Sequence, residues 1–296
     1  MTVLVTGGTG FIGPHVAHAL RVRDVAVRAL VRDPRRASRL AAWGVEVVQG
    51  DVTDAASLRD ACVDVEAVVH LVSIIKGSRD DFERVMIEGT RNLVAAAKEA
   101  GVGRFVLTSA LGLDERSRQA VPYFGAKWQM ERAVEQSGLE HTILRPSFVF
   151  GRDGGVLPTF VRLARFAPVT PIVGTGEQRL QPIWVEDLAA HYALALELPE
   201  ASGRTFELGG PDTVTWNELW ARLKRTLGAR RPSLHVPIGL LRMQAALTER
   251  LPGAPVTRDQ LTMLELGDNV VTDPGAAEVF KLPLVPLDEQ LRRAVS

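Results

Sequence analysis

The sequence is poor in several residue types, and each shortage excludes a class of protein. Of its 296 residues only Cys62 is a cysteine, so no disulfide can form within the chain. The 35 basic residues equal the 35 acidic ones, which removes the long-range field that concentrates nucleic acid or anionic lipid at a protein surface. With 46% hydrophobic and 24% charged residues, the composition is typical of a globular protein rather than a disordered one.

Long apolar runs and a secretory leader are also missing. A helix that spans a bilayer needs about 18 consecutive apolar residues or more, whereas the run over residues 68–75 is broken by His70 and Ser73. The chain begins Met-Thr-Val-Leu-Val, with no basic segment followed by an apolar one. We therefore expect a cytoplasmic protein with no transmembrane segment and no nucleic-acid partner. The histidines and the single cysteine show no metal-ligand spacing, so no metal site is predicted.

Tyrosine and lysine are rare enough that their positions carry information. Only five of the basic residues are lysines, and Tyr123 and Tyr192 are the only tyrosines. Tyr123 and Lys127 are one helical turn apart in a helix predicted over residues 121–137, so both side chains lie on one face. There an ammonium group can lower the pKa of a phenol from about 10 toward neutrality and make it a proton donor or acceptor. The alternative is an exposed pair on an amphipathic helix.

Short β-branched runs alternate with longer helical patterns through the first half of the chain. Strands are predicted over residues 3–6, 25–31, 45–49, 67–72, 105–108 and 141–144, and a long helix is predicted over residues 80–100. This alternation predicts an α/β fold with a Rossmann-type, doubly wound parallel sheet. Beyond residue 150 glycine and proline become frequent and the alternation stops. We predict a core over residues 1–150 and a smaller C-terminal lobe over residues 151–296, packed together as one compact unit.

The later segments of the chain also give local predictions. Residues 204–208 are expected to form a strand, and residues 186–197 and 215–227 are expected to form helices. Residues 238–250 are predicted to form an amphipathic helix that faces the core. The alternative for this helix is contact with a membrane surface or a partner protein.

A glycine-rich turn joins the first strand to the first helix. Gly7 would permit the tight turn, Gly10 the close approach of a pyrophosphate, and Gly13 the packing of the helix near the strand. The free N–H groups and the positive dipole end of the helix would then face the phosphates. Because the turn follows a strand and opens a helix, it predicts a dinucleotide site in the core. Its residues are Gly7, Thr9, Gly10, Phe11, Ile12 and Gly13.

The residues after the second strand favour NADP(H) over NAD(H). A site for NAD expects an acidic side chain here, whereas Arg32 can pair with a ribose 2′-phosphate, assisted by Arg35 and Arg36. If the register shifts by one residue, Asp33 would instead bind the ribose hydroxyls.

After the third strand, Asp51 and Val52 are candidates to flank the adenine. For Asp51 a role as a turn residue is equally open.

Together these motifs resemble the short-chain dehydrogenase/reductases (SDR), in their extended and atypical branch. The resemblance rests on residues 6–13, 50–52, 70–72, 88–90, 108–109, 123–127 and 145–147. Residues 150–153, 174–176 and 181–187 are similar to the group that contains the SDR-fold accessory subunit of respiratory complex I.

The resemblance implies hydride exchange between a nicotinamide and a carbonyl or alcohol substrate of unknown identity. Tyr123 would be the acid/base, Lys127 its activator and a ligand of the nicotinamide ribose, and Ser109 a weakened donor to the substrate oxygen. Further cofactor contacts are implied for Leu71, Val72, Pro146 and Phe148.

Two departures from the family pattern leave other functions open. Ala110 stands where the family carries a substrate-binding hydroxyl, and Met86 stands where many members carry an asparagine. A second hypothesis is therefore a structural or regulatory protein that holds NADP(H) without turning it over, with association to a membrane surface or respiratory complex. A third is a nucleotide-sugar epimerase or dehydratase. It is disfavoured because Ser147 replaces a common asparagine and no basic cluster for a diphosphate is evident.

Overall fold

A seven-stranded parallel sheet organises the structure, a computed structural model that describes residues 1–248 and 257–296. In chain order the strands are β1 Thr2–Thr6, β2 Ala26–Val31, β3 Glu46–Gln49, β4 Ala67–His70, β5 Arg104–Thr108, β6 Glu140–Pro146, β7 Val149–Phe150, β8 Thr170–Val173, β9 Arg179–Leu180, β10 Ile183–Trp184, β11 Arg204–Leu208, β12 Val214–Thr215 and β13 Ser233–Val236. The main sheet has the order β11-β6-β5-β4-β1-β2-β3, and the remaining strands form short pairs.

Helices cover both faces of this sheet. They are α1 Gly13–Arg21, α2 Ser38–Ala42, α3 Ala55–Cys62, α4 Arg79–Asp81, α5 Gly89–Glu99, α6 Glu115–Ala120, α7 Pro122–Glu135, α8 Leu157–Phe166, α9 Val185–Glu197, α10 Trp216–Thr226, α11 Ile238–Thr248, α12 Arg258–Glu265, α13 Gly275–Phe280 and α14 Leu287–Val295. Two 3₁₀ turns, Pro34–Arg36 and Pro199–Ala201, and a π-helical segment, Phe82–Glu88, complete the regular structure. The predicted Rossmann-type α/β fold is confirmed.

The sheet forms because its central strands are apolar on both faces. Val3, Leu4 and Val5 of β1 are fully buried, as expected for a parallel sheet covered by helices. One apolar layer joins the sheet to α1 and α9, and the other joins it to α3, α5 and α7. On one side of β1 the chain continues to β2 and β3, and on the other side to β4, β5 and β6, so the strand order reverses between β1 and β4. At such a point the carboxyl ends of the strands open a crevice.

The C-terminal half contributes to this sheet as well as to its own core. β11 pairs in parallel with β6, and α9 packs on α1. A separate apolar cluster includes Phe150, Trp184 and Trp220 and lies among the elements that follow β6.

Two helices differ from the sequence prediction. Residues 79–99 form a helix that is interrupted by the π-helical segment, which the periodicity does not reveal. The prediction that residues 238–250 face the core is wrong over α11, where Leu240, Met243 and Leu247 are 53%, 61% and 78% exposed. Ala245 is the α11 residue that is buried. Residues 249 and 250 lie outside the described part of the chain.

Within the described ranges, no helix has the length and apolar content that crossing a membrane requires.

Candidate active site

The glycine turn has the backbone geometry that the sequence predicts. Gly7 has a φ of 73°, a left-handed conformation that side chains disfavour, and the Gly10 N–H donates to the Gly7 carbonyl oxygen at 2.9 Å. A Cβ on Gly13 would lie 2.4 Å from the Gly7 oxygen and 2.6 Å from Gly8 Cα, so α1 can begin here only without a side chain. Gly10 is exposed, which leaves its backbone open to a ligand.

The end of β4 lies against this turn. A Cβ on Gly7 would be 3.2 Å from both the Leu71 carbonyl carbon and the Val72 nitrogen. The Leu71 N–H also donates to the Thr6 carbonyl oxygen. The structure therefore brings together the glycine turn and the two residues after β4 that were predicted to contact the cofactor.

A second glycine cluster encloses the ring of Phe11. Cβ atoms on Gly151 and Gly154 would lie 2.8 and 2.2 Å from carbon atoms of this ring, and one on Gly155 would lie 2.9 Å from it. Phe11 was expected to contact the cofactor, but its ring packs against this loop of the C-terminal half.

Between these glycines, Asp153 accepts from Arg39 Nη1 at 2.8 Å and lies 3.1 Å from His15 Nε2. The loop is thereby held against the first turn of α1.

Arg32 and Asp33, which follow β2, are the two candidates to bind the ribose, and their surroundings differ. Arg32 is exposed and lines a cavity of about 430 Å³ together with Gln49, Gly50, Asp51, Asp54 and Ser57. Asp33 instead accepts from Arg35 Nε at 2.8 Å and from Nη2 at 3.0 Å, and these hydrogen bonds hold the pKa of Asp33 below its usual range. The Asp33 carboxylate and the Arg35 guanidinium thus bind each other, which leaves Arg32 as the better placed group.

Asp51 and Val52 are held by the protein. Asp51 Oδ1 accepts from the Thr53 N–H at 2.9 Å and the Thr53 hydroxyl at 2.8 Å, the geometry of a turn residue. Val52 is buried beneath α5, where a Cβ on Gly89 would lie 2.7 Å from it. The Asp51 carboxylate lines the Arg32 cavity at the same time.

Lys127 and Tyr192 meet at Thr108, at the end of β5, and Tyr123 lies beside Lys127. Lys127 is fully buried, and its Nζ donates to the Thr108 carbonyl oxygen at 2.7 Å and lies 5.8 Å from the centroid of the Tyr123 ring. The Thr108 hydroxyl and the Tyr192 hydroxyl are 2.6 Å apart. The structure therefore places Tyr123 and Lys127 on one helix face and adds Tyr192 of α9, for which no role was predicted.

The pKa values of this group differ from the sequence expectation. Burial raises the pKa of Tyr123 to about 12, against a smaller lowering by its hydrogen bond with Ser73. Burial lowers the pKa of Lys127 to about 7, and the negative charge of Glu131 opposes that effect. The expected lowering of the phenol pKa is therefore not observed, because loss of hydration penalises both the phenolate and the ammonium.

The residues at the two positions that depart from the family pattern, Ala110 and Met86, are buried, and so is the neighbouring Ser109. Ser109 is 2% exposed, and its hydroxyl finds no hydrogen-bond partner among the described residues. Ala110 is buried beside it. Met86 is fully buried in the π-helical segment, where its carbonyl oxygen accepts from the Thr90 hydroxyl at 2.5 Å.

A buried histidine connects the first and fourth strands to the long helix. His70 Nδ1 lies 2.6 Å from the Thr6 hydroxyl, and His70 Nε2 lies 3.1 Å from the Thr90 hydroxyl. Burial, followed by the nearby charge of Lys127, lowers the pKa of His70 to about 3, so the ring is neutral at physiological pH. Sequence reasoning did not identify this network, whose members are far apart in the chain.

The residues after β6 are engaged with the C-terminal lobe. Pro146 is buried and its carbonyl oxygen accepts from the Leu111 N–H at 3.0 Å. The Ser147 hydroxyl donates to the Gln181 carbonyl oxygen. The ring of Phe148 packs edge-on against Trp216, with centroids 5.4 Å apart. No group of His, Cys, Asp and Glu that could hold a metal ion occurs in the parts of the chain that the structure describes.

Comparison with known families agrees with this geometry. A family described as NAD(P)H-binding matches residues 7–159, and a second, described as the RmlD substrate binding domain, matches residues 116–254. The chain belongs to the NAD(P)-binding atypical short-chain dehydrogenase/reductases. Their nicotinamide dinucleotide is therefore its cofactor class.

Individual relatives carry different activities. The chain is 34% identical to sterol demethylase protein B of Methylococcus capsulatus over 280 residues, which cover 85% of this chain and 82% of that protein. It is 28% identical to NADH dehydrogenase [ubiquinone] 1 alpha subcomplex subunit 9 of Rattus norvegicus, over 98% and 79% of the two chains. Among solved structures, the NADPH-dependent quinone oxidoreductase of Escherichia coli complexed with NADPH matches with a TM-score of 0.79 at 23% identity, over 99% of this chain and 100% of that chain.

Proposed function

We propose that the protein is an NADP(H)-dependent oxidoreductase that exchanges hydride with the carbonyl or alcohol carbon of a small molecule. The observation that carries this proposal is the fully buried Lys127, whose ammonium group contacts the Thr108 carbonyl oxygen and lies 5.8 Å from the Tyr123 ring. A buried cation beside a phenol is an arrangement suited to proton transfer.

The residues of the glycine turn fit a dinucleotide. Gly10 presents exposed backbone, and the absence of side chains at Gly7 and Gly13 keeps the turn compact at the start of α1. The pyrophosphate would be held by this turn, the adenine ribose by the cavity beside Arg32, and the nicotinamide end by Leu71 and Val72. A bound nicotinamide supplies or accepts the hydride.

Tyr123 and Lys127 would manage the proton. A phenol with a pKa of about 12 is protonated at neutral pH, so Tyr123 can donate from its hydroxyl oxygen to a substrate carbonyl oxygen. In its charged form, Lys127 then stabilises the phenolate that remains. The Ser109 hydroxyl, which has no partner among the described residues, would donate a second hydrogen bond to the substrate oxygen.

Two features support NADP(H) and a neutral carbonyl substrate. Arg32 is exposed in the cavity at the ribose end, whereas Asp33 is bound to Arg35. The rings of Tyr123 and Phe124 pack edge-on, with centroids 5.5 Å apart, in an apolar cluster that also includes Ala110, Met263 and Leu266.

A Tyr123→Phe variant tests this function. The probes are menadione and benzaldehyde, with NADPH oxidation followed by absorbance and NADPH binding followed by fluorescence. We expect turnover to fall by about 100-fold or more while the dissociation constant for NADPH stays near the wild-type value, because the general acid is removed and the cofactor contacts remain. Full turnover by Tyr123→Phe would refute the mechanism.

A second function is the binding of NADP(H) without turnover. It is favoured by Ala110 and Met86, the two buried residues that depart from the family pattern. Ala110 offers no hydroxyl to a substrate, and Met86 cannot relay protons. The same titration separates the two functions. Tight NADPH binding by the wild-type protein with no oxidation by any carbonyl probe would favour a structural or regulatory role.

A further inference from the structure

An ion pair with a buried carboxylate lies one helical turn beyond Lys127. Glu131 follows Lys127 by four residues on α7, which places it on the same helix face, and its side chain is 1% exposed. Its Oε1 accepts from Arg145 Nε at 2.8 Å and its Oε2 accepts from Arg145 Nη2 at 2.7 Å. This two-pronged contact joins α7 to β6 and fixes the position of the carboxylate.

Stability alone does not account for this ion pair. The Glu131 carboxylate is removed from water, whereas the Arg145 side chain remains 24% exposed. Because burying a carboxylate costs free energy, this ion pair is weak evidence for stabilisation. Lys127, on the other hand, is a buried cation whose acceptor, the Thr108 carbonyl oxygen, is neutral. A buried cation needs a nearby negative charge to remain protonated.

We infer that Glu131 is a positioning residue that keeps the Lys127 ammonium group charged, and that Arg145 holds the Glu131 carboxylate in place and limits its effect. The opposing influence of Glu131 on the pKa of Lys127 supports this inference. The significance for catalysis rests on the proposed role of Lys127, whereas the electrostatic effect is a property of the protein alone.

The other titratable groups around Lys127 do not supply this negative charge. His70 of β4 is neutral, and the pKa values of Tyr123 and of Tyr192 on α9 are raised by burial, so both phenols are neutral. Glu207 of β11 and Glu135 of α7 act on Arg145. On the neighbouring long helix, Glu83 and Glu88 pair with Arg91 at the surface.

The rarity of lysine makes a direct test possible. Protein labelled with ¹³Cε-lysine gives signals from only five lysines, and Lys127→Met identifies the one from Lys127. The chemical shift of this signal, followed against pH without cofactor, gives the titration midpoint of Lys127. We expect Glu131→Gln to lower the midpoint by about 1 pH unit. We expect Arg145→Gln to raise it and the double variant to titrate near the wild type.

The direction in which the Lys127 midpoint moves distinguishes an electrostatic effect of the substitution from a loosening of the packing around Lys127. A loosened helix would hydrate Lys127 and move its midpoint up toward about 10.4, the ordinary lysine value, in every variant. A rise or no change in Glu131→Gln would therefore overturn the inference. Should Glu131→Gln fail to fold, a raised midpoint in Arg145→Gln with a wild-type midpoint in the double variant supports it, and equal rises in both overturn it.

A matched control and a turnover experiment complete the test. Glu135→Gln makes the same chemical change one turn further along α7, where Glu135 pairs with Arg132, and should leave the Lys127 midpoint unchanged. NADPH oxidation by Lys127→Met with the carbonyl probes then addresses the proposed function separately. If Glu131→Gln lowers the midpoint but Lys127→Met turns over like the wild type, the ion-pair inference stands and the proposed role of Lys127 fails.

Discussion

The two ends of the candidate site are built by different means. At the phosphate end the site is made of backbone: Gly7 has a left-handed conformation, Gly10 is exposed, and Gly13 leaves no room for a Cβ. At the Tyr123 end it is made of buried polar side chains, including Lys127 and His70, that contact one another or neighbouring backbone. The first end is therefore sensitive to shape and the second to charge.

This difference determines what a substitution can reveal. At the phosphate end a single methyl group displaces backbone, so binding and folding change together. At the Tyr123 end, changes that keep the shape and alter the charge can separate chemistry from packing.

The largest effect should be the loss of stability in acid, to which His70 of the charge-sensitive end contributes. Burial lowers the pKa of His70 to about 3 and that of His191 to about 4, below the ordinary value of 6.5. Below pH 6.5 the unfolded chain binds more protons than the folded one, so stability falls as pH falls. Each histidine contributes about 1.4 kcal/mol per pH unit, His191 down to about pH 4 and His70 down to about pH 3.

Urea unfolding of the wild type and of His70→Gln between pH 4 and pH 7 measures this effect. The glutamine can still bond the Thr6 and Thr90 hydroxyls but does not titrate, so the variant should show a shallower dependence on pH. Equal slopes in the two proteins would show that His70 is not the source.

Next comes the shape-sensitive end. In Gly13→Ala the new Cβ would lie 2.4 Å from the Gly7 oxygen, so the turn must open. We expect a loss of about 3 kcal/mol of unfolding free energy and no measurable NADPH binding by fluorescence. Gly239→Ala is the matched control, because its Cβ meets nothing within 4 Å. Normal NADPH affinity in Gly13→Ala would contradict the assignment of the turn.

A smaller effect is expected at the ribose. Arg32→Ser should weaken NADPH binding by about 10-fold to 100-fold and leave NADH binding unchanged, because it removes a charge-assisted contact to the 2′-phosphate. Arg35→Ser should change the ratio of the two dissociation constants less, since Arg35 is bound to Asp33. A proportional loss of both cofactors in Arg32→Ser would remove the basis for NADP(H) preference.

The smallest effect concerns the second tyrosine. Tyr192→Phe deletes the hydroxyl that lies 2.6 Å from the Thr108 hydroxyl and leaves that buried group without this partner. We expect a loss of about 1 kcal/mol in urea unfolding. Tyr123→Phe should cost less, because its ring is only half-buried. A larger loss in Tyr123→Phe than in Tyr192→Phe would reverse the roles given to the two tyrosines.

The same contrast explains what sequence could predict. The glycine turn is contiguous, and its requirements are set by backbone geometry, so residues 7, 10 and 13 could be assigned directly. The spacing of Tyr123 and Lys127 is also local, within one helical turn. Thr6 and His70, by contrast, are 64 residues apart, and Thr108 and Tyr192 are 84 apart, so only the folded sheet brings them together.

The remaining errors have physical causes as well. Helical periodicity does not distinguish a π-helical segment from an α-helix, because both present apolar residues on one side of the long helix. Amphipathicity predicts that a helix has an apolar face but not what covers it, and Leu240, Met243 and Leu247 of α11 are exposed. The direction in which the pKa of Tyr123 shifts depends on burial, which the spacing of residues in the sequence does not determine.

Under the proposed function, Tyr123 and not Tyr192 faces the reacting end of the cofactor. With only two tyrosines in the chain, protein labelled on the tyrosine rings allows this contact to be measured by isotope-filtered nuclear Overhauser effects to bound NADPH. We expect effects between the nicotinamide or its ribose and the ring that Tyr123→Phe removes from the spectrum. Tight NADPH binding with no effect at Tyr123 would contradict it.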